Sequence, residues 1–347
     1  MSTQLSALSG QFSRSPEVWE TDLGLASLRI LSMRSCFSSI LALALVAVCA
    51  LAQGPGGAAV PAAPVPTTSR AVAPPVQLQP DASGSVSQEQ IRELFRYAQE
   101  REFENEKRLR DYTYIEREEE HDLDGHGRVK KVETRTSEVL EIYGEQVEKL
   151  VAKDDKPLSA KEAKKEDEKI QKIIDKRKNE SESDRRKRLE KEEKERAEDR
   201  KFVLEIADAF NFRLVGSEVV DGRDTWAIEA EPRAGFQPKE RATKLLSKFK
   251  GEVWIDKAEA QWLKLDITAI DTVSLGWFLA RIHKGTRVVA EQTKINDEVW
   301  LPKHVAVHVD VRLALLKNFN VDVDDSYRDY KKFRTDSKIT VVGESNE

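Results

Sequence analysis

The sequence predicts an α+β fold in which a large curved antiparallel sheet wraps around helices and carries a long charged helical insertion. Three observations predict this fold. Short segments with period-two alternation follow one another from Asn211 to the end of the chain. A leading segment with helical periodicity offers a cover for the apolar face of such a sheet. Between the two lies a run of residues that is almost entirely Lys, Arg, Glu and Asp.

The amino-terminal region predicts export. Arg34 supplies a positive charge, residues 37–48 are mostly apolar, and Ala50-Leu51-Ala52 has the small-x-small pattern that signal peptidase cuts. We therefore expect translation to start at Met33, residues 33–52 to be a signal peptide cut after Ala52, and residues 1–32 to be a non-native extension. An uncleaved anchor is the alternative, although the apolar run is shorter than the roughly 20 residues of a membrane span.

Cysteine usage and charge narrow the function of the exported protein. Both cysteines, Cys36 and Cys49, lie in the signal segment, so the mature chain has no disulfide, no thiol nucleophile and no cysteine metal site. The formal net charge of −5 gives no basic face of the kind that binds nucleic acid. We expect a periplasmic or secreted protein that does not bind nucleic acid.

Order is predicted to begin at Ser87, after a Pro- and Ala-rich disordered linker over residues 53–86. Ser87 caps an amphipathic helix that runs to about Leu109, with apolar residues at i, i+3, i+4 and i+7. Residues 87–347 are predicted to form a single domain.

A hairpin and a charged arm follow the helix. The segments Asp111–Glu120 and Val129–Tyr143 alternate with period two and flank an Asp-Gly turn, and Gln146–Ala152 adds a third strand. The arm over residues 159–201 is polar all round and breaks near 179–183, which predicts two solvated helices. It is interpreted either as a docking arm or lid for an envelope protein partner or as a solvent-exposed insertion.

The strands predicted from Asn211 onward are interpreted as a curved sheet that encloses a ligand-binding cavity. Their apolar face needs a cover, and two helices, Ser87–Leu109 and Val203–Phe210, are available to provide it. A concave apolar surface larger than two helices fill would leave a ligand cavity, although ordinary core packing explains the same pattern. Apolar alternation gives the candidate cavity residues Leu263, Leu265, Ile267, Val305, Val307 and Val309.

Four segments resemble the outer-membrane lipoprotein-sorting proteins, a superfamily of periplasmic lipoprotein carriers that includes an envelope-stress sensor. These segments are the leading helix, DYTYIEREE, VWIDKAEAQWLKLDI and TKINDEVWLPKHVAV. The resemblance covers roughly Ser87–Val342 without the charged arm. It implies an incomplete barrel that holds acyl chains in its concave face. The arm is longer than a small carrier needs, and the lid-locking arginine of the family has no identifiable counterpart.

Catalytic motifs are absent from the sequence. Residues 121–126 place two histidines and two aspartates in one turn, but their spacing is not that of a zinc site, and Asp-Gly turns attract such residues for backbone reasons. We expect no catalytic residues, no metal and no cofactor. Trp277 and Phe278, in the apolar run Val273–Ile282, are candidates for contact with a membrane surface; a central strand covered on both faces is the alternative.

Three hypotheses follow from the sequence. The first is an exported carrier that binds a lipid or the acyl chains of a lipoprotein without covalent chemistry. The second is an envelope sensor or protein-interaction module that uses the same fold and presents the charged arm. The third is a secreted hydrolase whose site the sequence does not reveal. We prefer the first.

Overall fold

One antiparallel sheet of 13 strands dominates the computed structural model, which describes residues 76–82, 84–143, 145–239, 242–275, 280–313 and 317–332. The strands are β1 (Tyr112–Leu123), β2 (Val129–Ile142), β3 (Glu145–Lys153), β4 (Lys156–Pro157), β5 (Phe210–Val220), β6 (Arg223–Pro232), β7 (Phe249–Asp256), β8 (Trp262–Ala269), β9 (Val273–Leu275), β10 (Ala280–Ile282), β11 (Arg287–Ile295), β12 (Val299–Leu313) and β13 (Lys317–Lys332).

The strand order is β4-β3-β2-β1-β13-β12-β11-β8-β7-β6-β5, with the β9–β10 pair attached to β12. The sheet does not close on itself, which confirms the predicted α+β architecture. It curls around helix α1 (Gln88–Leu109), because α1 contacts both β5, at one edge, and β12, five positions away in the strand order.

Two further helices form the predicted charged arm. Helix α2 (Ala160–Lys178) starts at Ser159, whose side chain accepts from the backbone N–H of Glu162 in a capping box. Helix α3 (Glu182–Ala209) begins after the break at 179–181, and its last turns bring Phe202 and Ala207 into the protein interior. The long charged insertion is therefore helical, as predicted, and α3 is continuous with the second cover helix.

The arm is tied to strand β3 by a cluster of ion pairs. Arg177 of α2 and Arg188 of α3 both donate to the carboxylate of Glu145, at 2.7–3.0 Å. Arg188 also donates to Glu180 between the two helices. The two guanidinium side chains are only 16% and 14% exposed, so these pairs are screened less than ordinary surface ion pairs.

The main hydrophobic core lies between α1, the end of α3 and strands β5–β8, and it extends to Val273 and Ile282. A second cluster includes Leu109, Tyr112, Tyr114 and Val139. Leu78 is buried in the main core, and Val76 and Val86 pack against it. Ordered packing therefore starts before Ser87, inside the carboxyl end of the predicted linker.

The single central strand, which was the alternative interpretation of Val273–Ile282, is not observed. The described ends of the run form two short strands, β9 and β10, in which Val273 pairs with Ile282. Between β6 and β7, a 3₁₀ helix is formed by Ala242–Lys248.

Candidate functional site

A cavity of about 150 Å³ lies between α1, α3 and the concave face of the sheet at strands β5–β8. Its walls are mostly aromatic and aliphatic. The lining residues are Phe95, Ala98, Gln99, Glu102, Phe103, Val203, Ile206, Phe210, Phe212, Ala230, Leu246, Phe249, Lys250, Gly251, Glu252, Val253, Ile255, Trp262, Leu265 and Ile267.

Local sequence periodicity builds each wall. On β7, Phe249, Gly251, Val253 and Ile255 are two residues apart and therefore share the concave face, while the side chains of the alternating residues point to the opposite face. Gly251 permits close strand packing: a Cβ at this position would lie 2.7 Å from the backbone oxygen of Asp266 on β8.

The helix wall of the cavity changes from apolar to polar along α1. Ile91, Leu94 and Ala98 are buried, and the same stripe continues with Glu102 and Asn105, at i+4 and i+7 from Ala98. Phe95 stacks on Phe212 of β5 with ring centroids 4.2 Å apart, which closes the apolar end of the stripe.

Amide side chains surround the carboxylate of Glu102. Gln261 donates to it through Nε2 at 2.5 Å, and Gln292 of β11 donates at 3.2–3.3 Å. Asn105 in turn donates to Gln261 Oε1 at 2.8 Å and accepts from the backbone N–H of Trp300. Gln261 and Gln292 are 1% and 2% exposed, so the network is an internal polar floor beside the cavity.

Burial raises the pKa of Glu102 from 4.5 to about 7, and the hydrogen bonds from Gln292, Gln261 and Trp262 only partly oppose that rise. Glu102 retains some accessible surface, as a residue that lines a cavity does, but protein surrounds it. Among the described residues, no Lys or Arg forms an ion pair with its carboxylate. Near neutral pH this residue therefore exists in both protonation states.

Gln99 is the second polar side chain of the α1 wall, and it is 7% exposed. Its Nε2 donates to the backbone oxygen of Val203 on α3, at 2.6 Å. That bond fixes the orientation of the amide, because a flipped amide would place two oxygens against each other. Gln99 Oε1 is buried and has no hydrogen-bond partner among the described residues.

The predicted cavity residues fall into two groups. Leu265 and Ile267 line the cavity. Leu263 is 1% exposed but is not among the lining residues. The pairing register between β7 and β8 shifts at this point: Trp254 pairs with Lys264, and Ile255 pairs with Trp262. Trp262 therefore occupies the cavity wall in place of Leu263.

Val305, Val307 and Val309 on β12 do not line the cavity either. Val307 pairs with Val288 of β11 and Val323 of β13, and Val305 pairs with Ala290 and Asp325. Strand β12 lies beyond β8 in the strand order, where the same face of the sheet becomes acidic. Whether any of the six predicted residues contacts a ligand stays a prediction.

The acidic part of this face lies on β1, β3 and β13. Glu118 pairs with Asp325, and Glu116 lies two residues before Glu118 on the same face. Desolvation first, and repulsion from neighbouring carboxylates second, raise the pKa of Glu116 to about 8 and that of Glu148 to about 7. Burial also raises the pKa of Asp325 well above its ordinary value. The concave face thus has an apolar half and an acidic half.

The turn after β1 satisfies its own polar groups. Asp124 Oδ1 accepts from the backbone N–H groups of His126 and Arg128, at 2.8 and 3.0 Å. His121 lies on β1 with Nε2 2.7 Å from Glu119. Within the described residues, no group of three or more His, Cys, Asp or Glu side chains could hold a metal ion. The membrane-contact candidates Trp277 and Phe278, and the signal segment, lie outside the described residues.

No family model and no curated protein matches the chain. It is similar to a solved outer membrane lipoprotein-sorting protein domain from Vibrio parahaemolyticus, with 13% identity, coverage of 71% of this chain and 94% of that chain, and a TM-score of 0.30. A DUF1329 family protein from Desulfovibrio piger is also similar, at 11% identity, 72% and 95% coverage and a TM-score of 0.27. A LolA superfamily protein from Nitrosomonas europaea gives 9% identity, 70% and 92% coverage and a TM-score of 0.26.

The first of these structures bears the name of the family that the sequence motifs resemble. At these TM-scores the likeness carries no further argument. The functional proposal therefore depends on the cavity.

Proposed function

We propose that this protein binds an acylated ligand, a lipid or the acyl chains of a lipoprotein, without covalent chemistry and carries it in the bacterial envelope. The observation that carries this proposal is the cavity between α1, α3 and strands β5–β8, with its predominantly aromatic and aliphatic walls. An apolar cavity with few polar groups is the usual form of a site that binds an apolar ligand.

The size of the cavity indicates how the protein would hold such a ligand. A dry apolar cavity of about 150 Å³ accommodates benzene, so this volume holds about six carbon atoms. At about 0.8 kcal/mol per buried methylene group, six carbons contribute about 5 kcal/mol. This gain is comparable to the cost of association, so tight binding of a long chain requires a larger cavity.

The roof formed by α1 and α3 is the part of the structure that would move to enlarge the cavity. Phe95 and Phe103 come from α1, and Val203 and Ile206 come from α3, while the opposite wall is hydrogen-bonded sheet. Displacing the two helices breaks side-chain contacts and, at the end of α3, the backbone hydrogen bond from the Arg233 N–H to the Ala209 oxygen, whereas widening the sheet breaks whole backbone ladders between strands. The small cavity of this structure is therefore the ligand-free form in this proposal.

A second function, as an envelope sensor or interaction module, is favoured by the arm. One side of the arm is attached to β3 through the ion pairs of Arg177 and Arg188 with Glu145. Other charged residues of the arm, such as Arg186 and Glu190, are about 70% exposed and remain available to a protein partner. This arrangement is compatible with the carrier function.

Export to the periplasm belongs to the proposal and is supported by the signal pattern at 33–52, with cleavage after Ala52. None of the helices within the described ranges combines the length and the apolar character that crossing a membrane requires.

Tryptophan fluorescence tests the proposal, because Trp262 lines the cavity. A dodecanamide with bromine on its alkyl chain quenches a tryptophan that it contacts. We expect saturable quenching in the wild-type protein. In the Trp262→Phe variant most of this quenching should disappear, while native mass spectrometry still detects the bound chain. Absence of saturable quenching, or quenching that does not depend on Trp262, would contradict the proposed site.

A further inference from the structure

One face of α1 forms the helix side of the cavity, and Glu102 lies within it. The lining residues of this helix follow the spacing i, i+3, i+4, i+7 and i+8, which is that of a single helix face. They are Phe95, Ala98, Gln99, Glu102 and Phe103. The carboxyl group of Glu102 also accepts a hydrogen bond from Trp262, which lines the sheet wall. Glu102 therefore meets the cavity as well as the polar floor behind it.

The other two charged residues of the lining belong to the opposite surface. Lys250 and Glu252 alternate on β7 with Gly251, so their side chains point away from the concave face. Glu252 accordingly interacts electrostatically with Glu218 and Lys264, as residues of the convex surface do. The charge that a ligand in the cavity meets therefore comes from α1.

The hydrogen-bond donors around Glu102 are neutral. Gln261, Gln292 and Trp262 donate to its carboxylate, which they orient without cancelling its charge. A carboxylate accepts about four hydrogen bonds, so these three donors leave room for a further one. Among the described residues, no Lys or Arg side chain forms an ion pair with this carboxylate.

The positive charges along this part of α1 interact with a different carboxylate. Arg110, Arg196 and Arg200 interact electrostatically with Glu106, one helix turn beyond Glu102. Glu106 in turn adds negative charge near Glu102, and the sheet side chains that donate to Glu102 carry no charge. The polar end of the cavity is therefore electronegative.

We propose that the ligand carries a primary ammonium group next to its alkyl chain, and that the carboxylate of Glu102 binds this group at the polar end of the cavity. This inference rests on the proposed function and specifies its ligand class. A buried carboxylate without a cationic partner is unfavourable, and an ammonium group supplies both the opposite charge and hydrogen-bond donors. A carboxylate head group would instead be repelled.

Three ligands with the same chain length and different head groups test the preference. Decylamine is a cation at pH 8, decan-1-ol is neutral and decanoate is an anion. Each competes with the brominated dodecanamide in the tryptophan fluorescence titration. At pH 8 we expect decylamine to bind about 10-fold more tightly than decan-1-ol, and decanoate to bind no more tightly than decan-1-ol.

The dependence of binding on pH identifies the group that the amine contacts. Burial raises the pKa of Glu102 to about 7, so the carboxylate form makes up roughly one tenth of the protein at pH 6 and roughly nine tenths at pH 8. A primary amine stays protonated over this range. The Kd of decylamine should therefore fall about 10-fold from pH 6 to pH 8, whereas that of decan-1-ol should change by less than about 3-fold.

The variant Glu102→Gln assigns both effects to Glu102. It should remove the amine preference and its pH dependence, while decan-1-ol still binds. The matched control is Glu104→Gln, since Glu104 lies on the exposed face of α1 in an ion pair with Lys107, and this variant should keep both effects. A preference that persists in Glu102→Gln would overturn the inference.

Two further amines distinguish the sources of such a head group. Decylphosphoethanolamine represents an aminophospholipid, and glycine decylamide represents an acylated peptide with a free amino terminus; the affinity of the recognised source should fall about 10-fold in Glu102→Gln. Equal binding of decylamine and decan-1-ol by the wild-type protein at pH 8, without pH dependence, would overturn the inference and leave the proposed function standing, even where the variant does not fold. Absence of competition by decan-1-ol and by every amine would refute the proposed function as well.

Discussion

Filling the cavity from α1 should weaken ligand binding without destabilising the protein. Ala98 lies on α1, is 5% exposed and lines the cavity. The substitution Ala98→Leu adds three carbon atoms to a space that holds about six. A ligand then loses about three buried methylene groups, or about 2.4 kcal/mol, which corresponds to about a 50-fold increase in Kd.

The matched control is Ala306→Leu on β12. Ala306 alternates with His304 and His308, whose side chains pair with Asp324 and Asp322 on the face of the sheet opposite the core. The same added volume there should leave Kd within about 3-fold of the wild-type value. Both variants should keep the free energy of unfolding within about 2 kcal/mol, since the leucine at position 98 enters existing space. The reasoning is refuted if Ala98→Leu folds normally and binds the brominated dodecanamide as tightly as the wild type.

Three further predictions concern stability. Folding raises the pKa of Glu102 from 4.5 to about 7, so its contribution to the free energy of unfolding is complete below pH 4.5 and is lost as the pH rises through 7. In urea unfolding measured across that range, Glu102→Gln should reduce the loss of stability with pH by up to about 3 kcal/mol. An unchanged dependence of the unfolding free energy on pH would contradict the assignment. Glu145→Ala should increase hydrogen exchange in α2 and the first turns of α3, because two mostly buried guanidinium groups lose their shared partner on β3 and keep Glu180. The exposed Glu190→Ala should have no effect, and equal exchange in both variants would argue against the anchor. Gly251→Ala should cost about 1–3 kcal/mol of unfolding free energy, because the added Cβ meets the backbone of β8. The control Gly216→Ala places its Cβ in open space and should change the unfolding free energy little. Equal losses in the two variants would contradict the close approach at Gly251.

Local sequence signals were enough to predict much of the fold. Strand alternation and the Asp-Gly turn predicted the antiparallel strands, and the charged run with its break near 179–183 predicted the two helices of the arm. Each of these signals depends on residues a few positions apart. The division of Val273–Ile282 into two strands was not predictable from apolarity, since a buried hairpin and a strand buried on both faces have the same composition.

The cavity was predictable only in part. Leu265 and Ile267 follow from alternation, but the irregularity at Leu263 and the acidic residues opposite Val305 depend on pairing between distant strands. The polar floor joins Glu102 to Gln261 and Gln292, 159 and 190 positions away. A signal for it was present, because Glu102 and Asn105 interrupt the apolar stripe of the first helix at core positions.

The central claim is that the protein carries an acyl chain in this cavity, and native mass spectrometry of the protein purified from a bacterial envelope fraction tests it most directly. We predict a co-purifying acyl species, identified after lipid extraction, whose occupancy falls in Ala98→Leu and is retained in Ala306→Leu. A single ligand-free mass, with no uptake of added acyl amide by the folded protein, would contradict the claim.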